Sequence, residues 1–137
     1  MEFKANTVLI TGGASGIGFA LAERFVQAEN GVIICGRREH KLKEAQSKYP
    51  QLDIRVCNVA DPAERLALFA WVTETYPSLS ILVNNAGIRQ QIELQQMPTW
   101  EMLYEEMAIN LEAPIHLSTL FIPHLLKQKQ PAIIICL

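Results

Sequence analysis

Five short runs of apolar, mostly β-branched residues recur along the chain, at 7–10, 32–35, 54–57, 81–83 and 132–136. Each is too short for a helix, and the apolar character, unbroken except at Arg55 in the third, suits strands covered on both faces. Amphipathic stretches at 16–28, 39–49, 62–76 and 100–127 separate the runs. The first places Ile17, Leu21, Phe25 and Ala28 on one helical face. The third has a marked start: Asp61 as N-cap, Pro62 at the first helical position and Glu64 to complete a capping box. Pro114 and Pro123 are expected to kink or break the fourth. A polar loop, 89–99, precedes it. Such alternation calls for parallel strands joined by right-handed crossovers. The expected fold is α/β: a doubly wound parallel sheet of five strands, order 3-2-1-4-5, in a single domain spanning 1–137.

Composition narrows the function classes. A net charge of −2 gives no reason to expect nucleic acid or an acidic membrane as partner. No signal peptide is visible and no run approaches the roughly 20 apolar residues of a membrane span, so a cytoplasmic location is expected. Cys35, Cys57 and Cys136 are odd in number and lack metal-ligand spacing. They read as small buried hydrophobes, with a reactive thiol as the lesser alternative. No metal site is expected.

Ligands of doubly wound sheets bind at the carboxyl ends of the strands, where the strand order reverses. Here that point lies beside strand one, which runs directly into Thr11-Gly12-Gly13-Ala14-Ser15-Gly16-Ile17-Gly18. Glycine allows positive φ and close approach of a ligand to the backbone. The helix that follows offers free N–H groups and a partial positive charge, which suit a pyrophosphate. A glycine cluster alone could be an ordinary turn; its strand–turn–helix setting argues for a Rossmann-like phosphate site. No Gly-Lys-Ser/Thr follows, which argues against a kinase-type P-loop.

The spacing Thr-Gly-x-x-x-Gly-x-Gly, together with Asn84-Asn85-Ala86-Gly87 directly after strand four, resembles the short-chain dehydrogenase/reductase family over essentially the whole chain. The resemblance implies a nicotinamide dinucleotide cofactor and hydride transfer to or from a carbonyl or alcohol substrate. An NAD site usually carries an acid at the end of strand two. Here the strand ends Cys35-Gly36-Arg37-Arg38, with no acid before Glu39. Gly36 leaves room for an adenosine phosphate, and Arg37 can offer it a planar fork, with Arg38 assisting. Charge-assisted bonds of this kind contribute about 1.5–3 kcal/mol each. The alternative is a pair of solvated helix-start arginines. NADP(H) is therefore expected over NAD(H).

The residues expected to hold the cofactor are Thr11, Gly12, Ala14, Ser15, Gly16, Ile17, Gly18, Arg37, Arg38, Asn58, Val59, Asn85, Ala86 and Gly87. The family commonly has an aspartate where this chain has Asn58, so the adenine contact is weakened, and Asn58 reads equally as a turn residue. The resemblance implies that the Asn85–Gly87 backbone lines the nicotinamide-side ribose and that Asn84 bridges strands through its side-chain amide.

Reduction of a carbonyl needs an acid to protonate the oxygen and a donor to stabilise it. The family supplies a Tyr-x-x-x-Lys pair, a serine and a supporting asparagine. Asn110 matches that asparagine, or is a helix-bend residue four positions before Pro114. Tyr49, Tyr76 and Tyr104 are followed four residues later by Asp53, Ser80 and Ala108, so no such pair exists in the chain. His40, His116 and His124 have no acidic partner implied by spacing. The catalytic helix and further strands are expected beyond Leu137, which leaves 132–137 as an apolar edge able to pair with another chain. A homo-oligomer is expected. Three functions stay open: the cofactor-binding part of an NADP-dependent oxidoreductase, inactive alone; a non-catalytic NADP(H)-binding or interaction module; and an inactive remnant.

Overall fold

A computed structural model of the chain describes residues 5–90 and 93–137; positions 1–4 of the expected domain and 91–92 of the expected polar loop lie outside the described residues. The five apolar runs become β1 (Thr7–Thr11), β2 (Gly31–Gly36), β3 (Asp53–Val56), β4 (Leu79–Asn84) and β5 (Ala132–Ile135). They form one parallel sheet in the order β3-β2-β1-β4-β5, as expected from the alternation. Between them run α1 (Gly16–Gln27), α2 (Glu39–Lys48), α3 (Pro62–Thr75), α4 (Trp100–Met107) and α5 (Ala113–Leu125).

Helices cover both faces, which is why the central strands carry no polar alternation. Leu9, Ile33, Leu79 and Leu82 pack against Leu68 and Val72 of α3 and Leu117, Phe121 and Leu125 of α5. Val8, Ile10, Val32, Ile34, Ile81 and Val83 face Ala22 and Phe25 of α1 and Leu42 and Ala45 of α2. Leu79 and Leu82 can share a face only because the register shifts there: Thr7 pairs with Leu79 but Val8 with Ile81. The extra residue, Ser80, donates its hydroxyl to Asn6 Oδ1 at 3.1 Å. That irregularity lets β4 begin two residues before the apolar run that marks it in the sequence.

Two local expectations change and a third is met at one of its two prolines. The buried face of α1 is Gly18, Ala22 and Phe25, while Ile17 is 71% exposed. The first turn of α1 overhangs the strand ends, so Ile17 borders a cleft and not the core. At α3, Asp61 caps as expected, accepting from Ala63 N at 2.8 Å, but the capping box does not close. The Glu64 carboxylate reaches past Asp61 and accepts from Asn58 N at 3.1 Å, tying the turn after β3 to the helix. The fourth stretch is interrupted between α4 and α5 by a π-helical turn, Ala108–Glu112, with Ala113 N bonded to Ala108 O. Pro114 has no N–H to give to the carbonyl of Asn110, so the α-helical ladder cannot run through this point. Pro114 then sits at the start of α5, and Pro123 lies within its last turn without ending it.

Candidate cofactor cleft

The sheet order reverses beside β1, and a cavity of about 400 Å³ opens there at the carboxyl ends of the strands. Its floor is the turn after β1. Gly12 N and Gly13 N both donate to Cys35 O, at 2.9 and 3.3 Å, which holds the turn against β2. Gly12 has φ +64°, and a Cβ there would lie 2.9 Å from Ala86 Cα. Two requirements, a left-handed backbone and close approach of the loop after β4, therefore coincide at one residue. At Gly18 a Cβ would collide with the Gly12 carbonyl oxygen and the Asn85 amide, so only glycine lets α1 start this close to β1.

Ala14, Ser15, Gly16 and Ile17 form the wall at the N-terminus of α1. Ser15 is the N-cap residue but makes no side-chain capping bond, and the first turn holds no acid. The open N–H groups and positive end of the helix dipole stay available at the cleft. Gly36, Arg37 and Arg38 close the β2 side, and Cys57 and Val59 the β3 side. Asn85, Ala86, Gly87 and Ile88 close the β4 side, with Ile109 entering from the π turn.

Thr11, Gly18 and Asn58, expected in the site, stand outside its lining and act on its frame. The buried Thr11 hydroxyl accepts from Asn85 N and Ala86 N, each at 3.0 Å. Asn58 Oδ1 accepts from Ala60 N at 3.1 Å, so the carbonyl considered for an adenine contact is engaged in a turn. Bridging of strands falls to Asn85, whose Nδ2 donates to Thr11 O and Gly12 O at 3.2 and 3.1 Å. Asn84, expected in that role, instead donates to Ser118 Oγ of α5 at 3.2 Å. Asn110 holds the backbone of Ile88 on both sides: Ile88 N donates to Oδ1 at 2.8 Å and Nδ2 donates to Ile88 O at 2.7 Å.

Two arginines are engaged by distant parts of the chain. Arg37, half exposed, pairs through Nη1 with Glu105 Oε1 of α4 at 3.1 Å. Glu105 Oε2 also accepts from Gln90 Nε2 at 3.3 Å. Arg65 is buried, donating from Nη1 to His116 Nδ1 at 2.9 Å and from Nη2 to Ala60 O at 3.3 Å, with Glu112 3.8 Å away. His116 is thereby committed to the α3–α5 contact. Cys35 lies buried behind Cys57. Their mutual hydrogen bond and burial push the Cys35 thiol well above its usual range, and the same bond lowers that of Cys57. A second cavity, of about 350 Å³, lies between the turn after β3 and α4, bordered by Asn58, Trp100, Tyr104 and Glu105. No cluster of metal-ligating residues occurs among the described residues.

Cys57, Ile88, Ile109 and Glu105 were not anticipated. Cys57 and Ile88 follow the ends of β3 and β4, where position in the chain could have found them. Ile109 reaches the cleft, and Glu105 reaches Arg37, only through the placement of α4 and the π turn, which no local pattern announces.

A parallel sheet with this order, a glycine turn into α1 and an Asn-Asn-Ala-Gly turn after β4 define a dinucleotide-binding α/β protein. The short chain dehydrogenase family model matches residues 6–136, and the chain belongs to that family. It is 47% identical to the uncharacterized oxidoreductase DltE of Bacillus subtilis (strain 168), over 98% of this chain and 54% of that protein. It is 30% identical to the 3-oxoacyl-[acyl-carrier-protein] reductase FabG of Thermotoga maritima, over 98% of this chain and 56% of that one. A crystal structure of a short-chain dehydrogenase from Streptomyces avermitilis superposes with a TM-score of 0.86 at 28% identity, covering 98% of this chain and 50% of that chain. The chain thus spans about half the length of these relatives.

Proposed function

We propose that these residues form the NADP(H)-binding part of an oxidoreductase that acts on a carbonyl or alcohol. The observation that carries the proposal is the cleft itself. Glycine cradles that a Cβ would fill, an uncapped helix N-terminus and Arg37 converge there, and β2 ends in Gly36 with no acid for an adenosine ribose. The turn after β1 and the first turn of α1 would hold the pyrophosphate. Arg37, with Arg38, would hold the adenosine phosphate, and the Asn85–Gly87 backbone the other ribose. The bound cofactor would supply a hydride. The name of the Thermotoga relative, a 3-oxoacyl reductase, supports a carbonyl as substrate class.

No Tyr-x-x-x-Lys pair occurs in the 137 residues, so the role proposed for them is to bind and orient the cofactor, without turnover on their own. A cytoplasmic location belongs to the same proposal; no helix among the described residues is long and apolar enough to cross a membrane.

The test is a fluorescence titration with NADPH and NADH, run on the wild-type chain and on Arg37→Ala. Losing one charge-assisted bond should weaken NADPH by roughly ten- to a hundredfold and leave NADH nearly unchanged. Equal losses for the two cofactors would remove Arg37 from the site and NADP(H) from the proposal.

A further inference from the structure

Arg37, in the lining of the cleft, is engaged by a carboxylate from α4. Glu105 approaches it from α4, 68 residues along the chain, with Nη1 to Oε1 at 3.1 Å. The second oxygen of Glu105 is held by Gln90, so the carboxylate is fixed between the loop after β4 and the end of β2. Both partners are close to half exposed, 47% for Arg37 and 43% for Glu105, so the pair is weak and exchangeable. An adenosine phosphate and the Glu105 carboxylate would compete for one guanidinium. A dianion that takes two N–H groups of the fork outcompetes a carboxylate that takes one.

We propose that Glu105 is a specificity-determining residue: it latches Arg37 across the mouth of the cleft, must release it for a 2′-phosphorylated dinucleotide, and so sets NADP(H) affinity without touching NAD(H) affinity. This rests on the NADP(H) assignment above. The latch also has a consequence for α4. Glu105 borders the second cavity with Trp100 and Tyr104, so release of Arg37 frees a side chain that links the cofactor cleft to that face of the helix.

The experiment measures dissociation constants for NADPH and NADH on the wild-type chain, Glu105→Gln, Arg37→Ala and the double variant. Thermal melting by circular dichroism checks that each is folded. Glutamine keeps the hydrogen bond acceptor and removes the charge. The expected result is NADPH binding tightened by up to about fivefold in Glu105→Gln, the span of exposed ion pairs, with NADH unchanged. The gain should shrink in the Arg37→Ala background, because the latch has no other hold. NADPH binding that appears only in Glu105→Gln would also support the latch. An unchanged or weaker NADPH constant in Glu105→Gln, or a parallel change in NADH, would overturn it even where Arg37→Ala is NADPH-selective. Equal losses of both cofactors in Arg37→Ala, or no binding by any folded variant, would overturn the NADP(H) assignment and the latch with it.

Discussion

At the scale of single residues, the cleft depends on side chains that act on the backbone. Asn110 stands in the π turn and makes two hydrogen bonds to Ile88, one accepted and one donated. Of the two readings open for it in the sequence, the structure shows the helix bend. It marks a helix bend, and the bend is what turns its amide onto the loop that carries Ala86 and Gly87. Asn110→Ala should lower stability by roughly 1–3 kcal/mol, at about 0.5–1.5 kcal/mol per net bond, visible as a lower urea midpoint. It should also weaken NADPH and NADH alike, since the loop and not the phosphate end is released. A variant that kept both the midpoint and the affinities would show that Ile88 is held by other contacts. Thr11 and Asn85 work in the same way. Their types are common in turns, so the motif could be read from the sequence, but which oxygen accepts which N–H could not. The bridging expected of Asn84 falls to Asn85, while Asn84 turns to Ser118, because adjacent residues at a strand end point to opposite sides of the sheet.

Among elements, α5 and its neighbour α3 determine whether the cleft has a rigid base. Phe121 is fully buried and meets Phe69 edge-on, with ring centroids 5.1 Å apart. Phe121→Ala should cost about 3–5 kcal/mol from lost burial and the cavity left behind. A thermal melt would show this as a large drop in midpoint; a change within a degree or two would mean that the α3–α5 contact is not what anchors this side of the sheet. The strands and helices at this scale were largely legible, because two-faced burial writes apolar runs and helical periods into the chain. Element ends were less so. The register shift at Thr7/Val8 depends on a partner distant in sequence, the π turn on a missing N–H, and the open capping box at α3 on a choice between two nearby N–H groups. The face of α1 was misjudged at Ile17 because periodicity cannot tell a core from a cleft.

Over the whole molecule, several large apolar side chains are exposed, many of them in the α4–α5 region. Trp100, Met107, Leu111, Ile115 and Leu126 of the α4–α5 region are exposed, as are Ile135 and Leu137 at the open edge of the sheet beside β5. Exposed apolar side chains of this kind favour association. We expect the chain at micromolar concentration to sediment as a homo-oligomer; a monomer across that range would contradict this. The sequence by itself determined the strand–helix order, the sheet topology that follows from right-handed crossovers, and the position of the glycine turn at the reversal point. These are local or nearly local properties, carried by side-chain period, branching and the conformational freedom of glycine. Only the tertiary structure decided that Glu105 meets Arg37, that Asn110 holds Ile88 and that Asn58 turns away. Those contacts join segments that are far apart in the chain in the first two cases, and in the third they choose between two hydrogen bonds of similar strength. Neither kind of choice leaves a period or a propensity for a sequence to display.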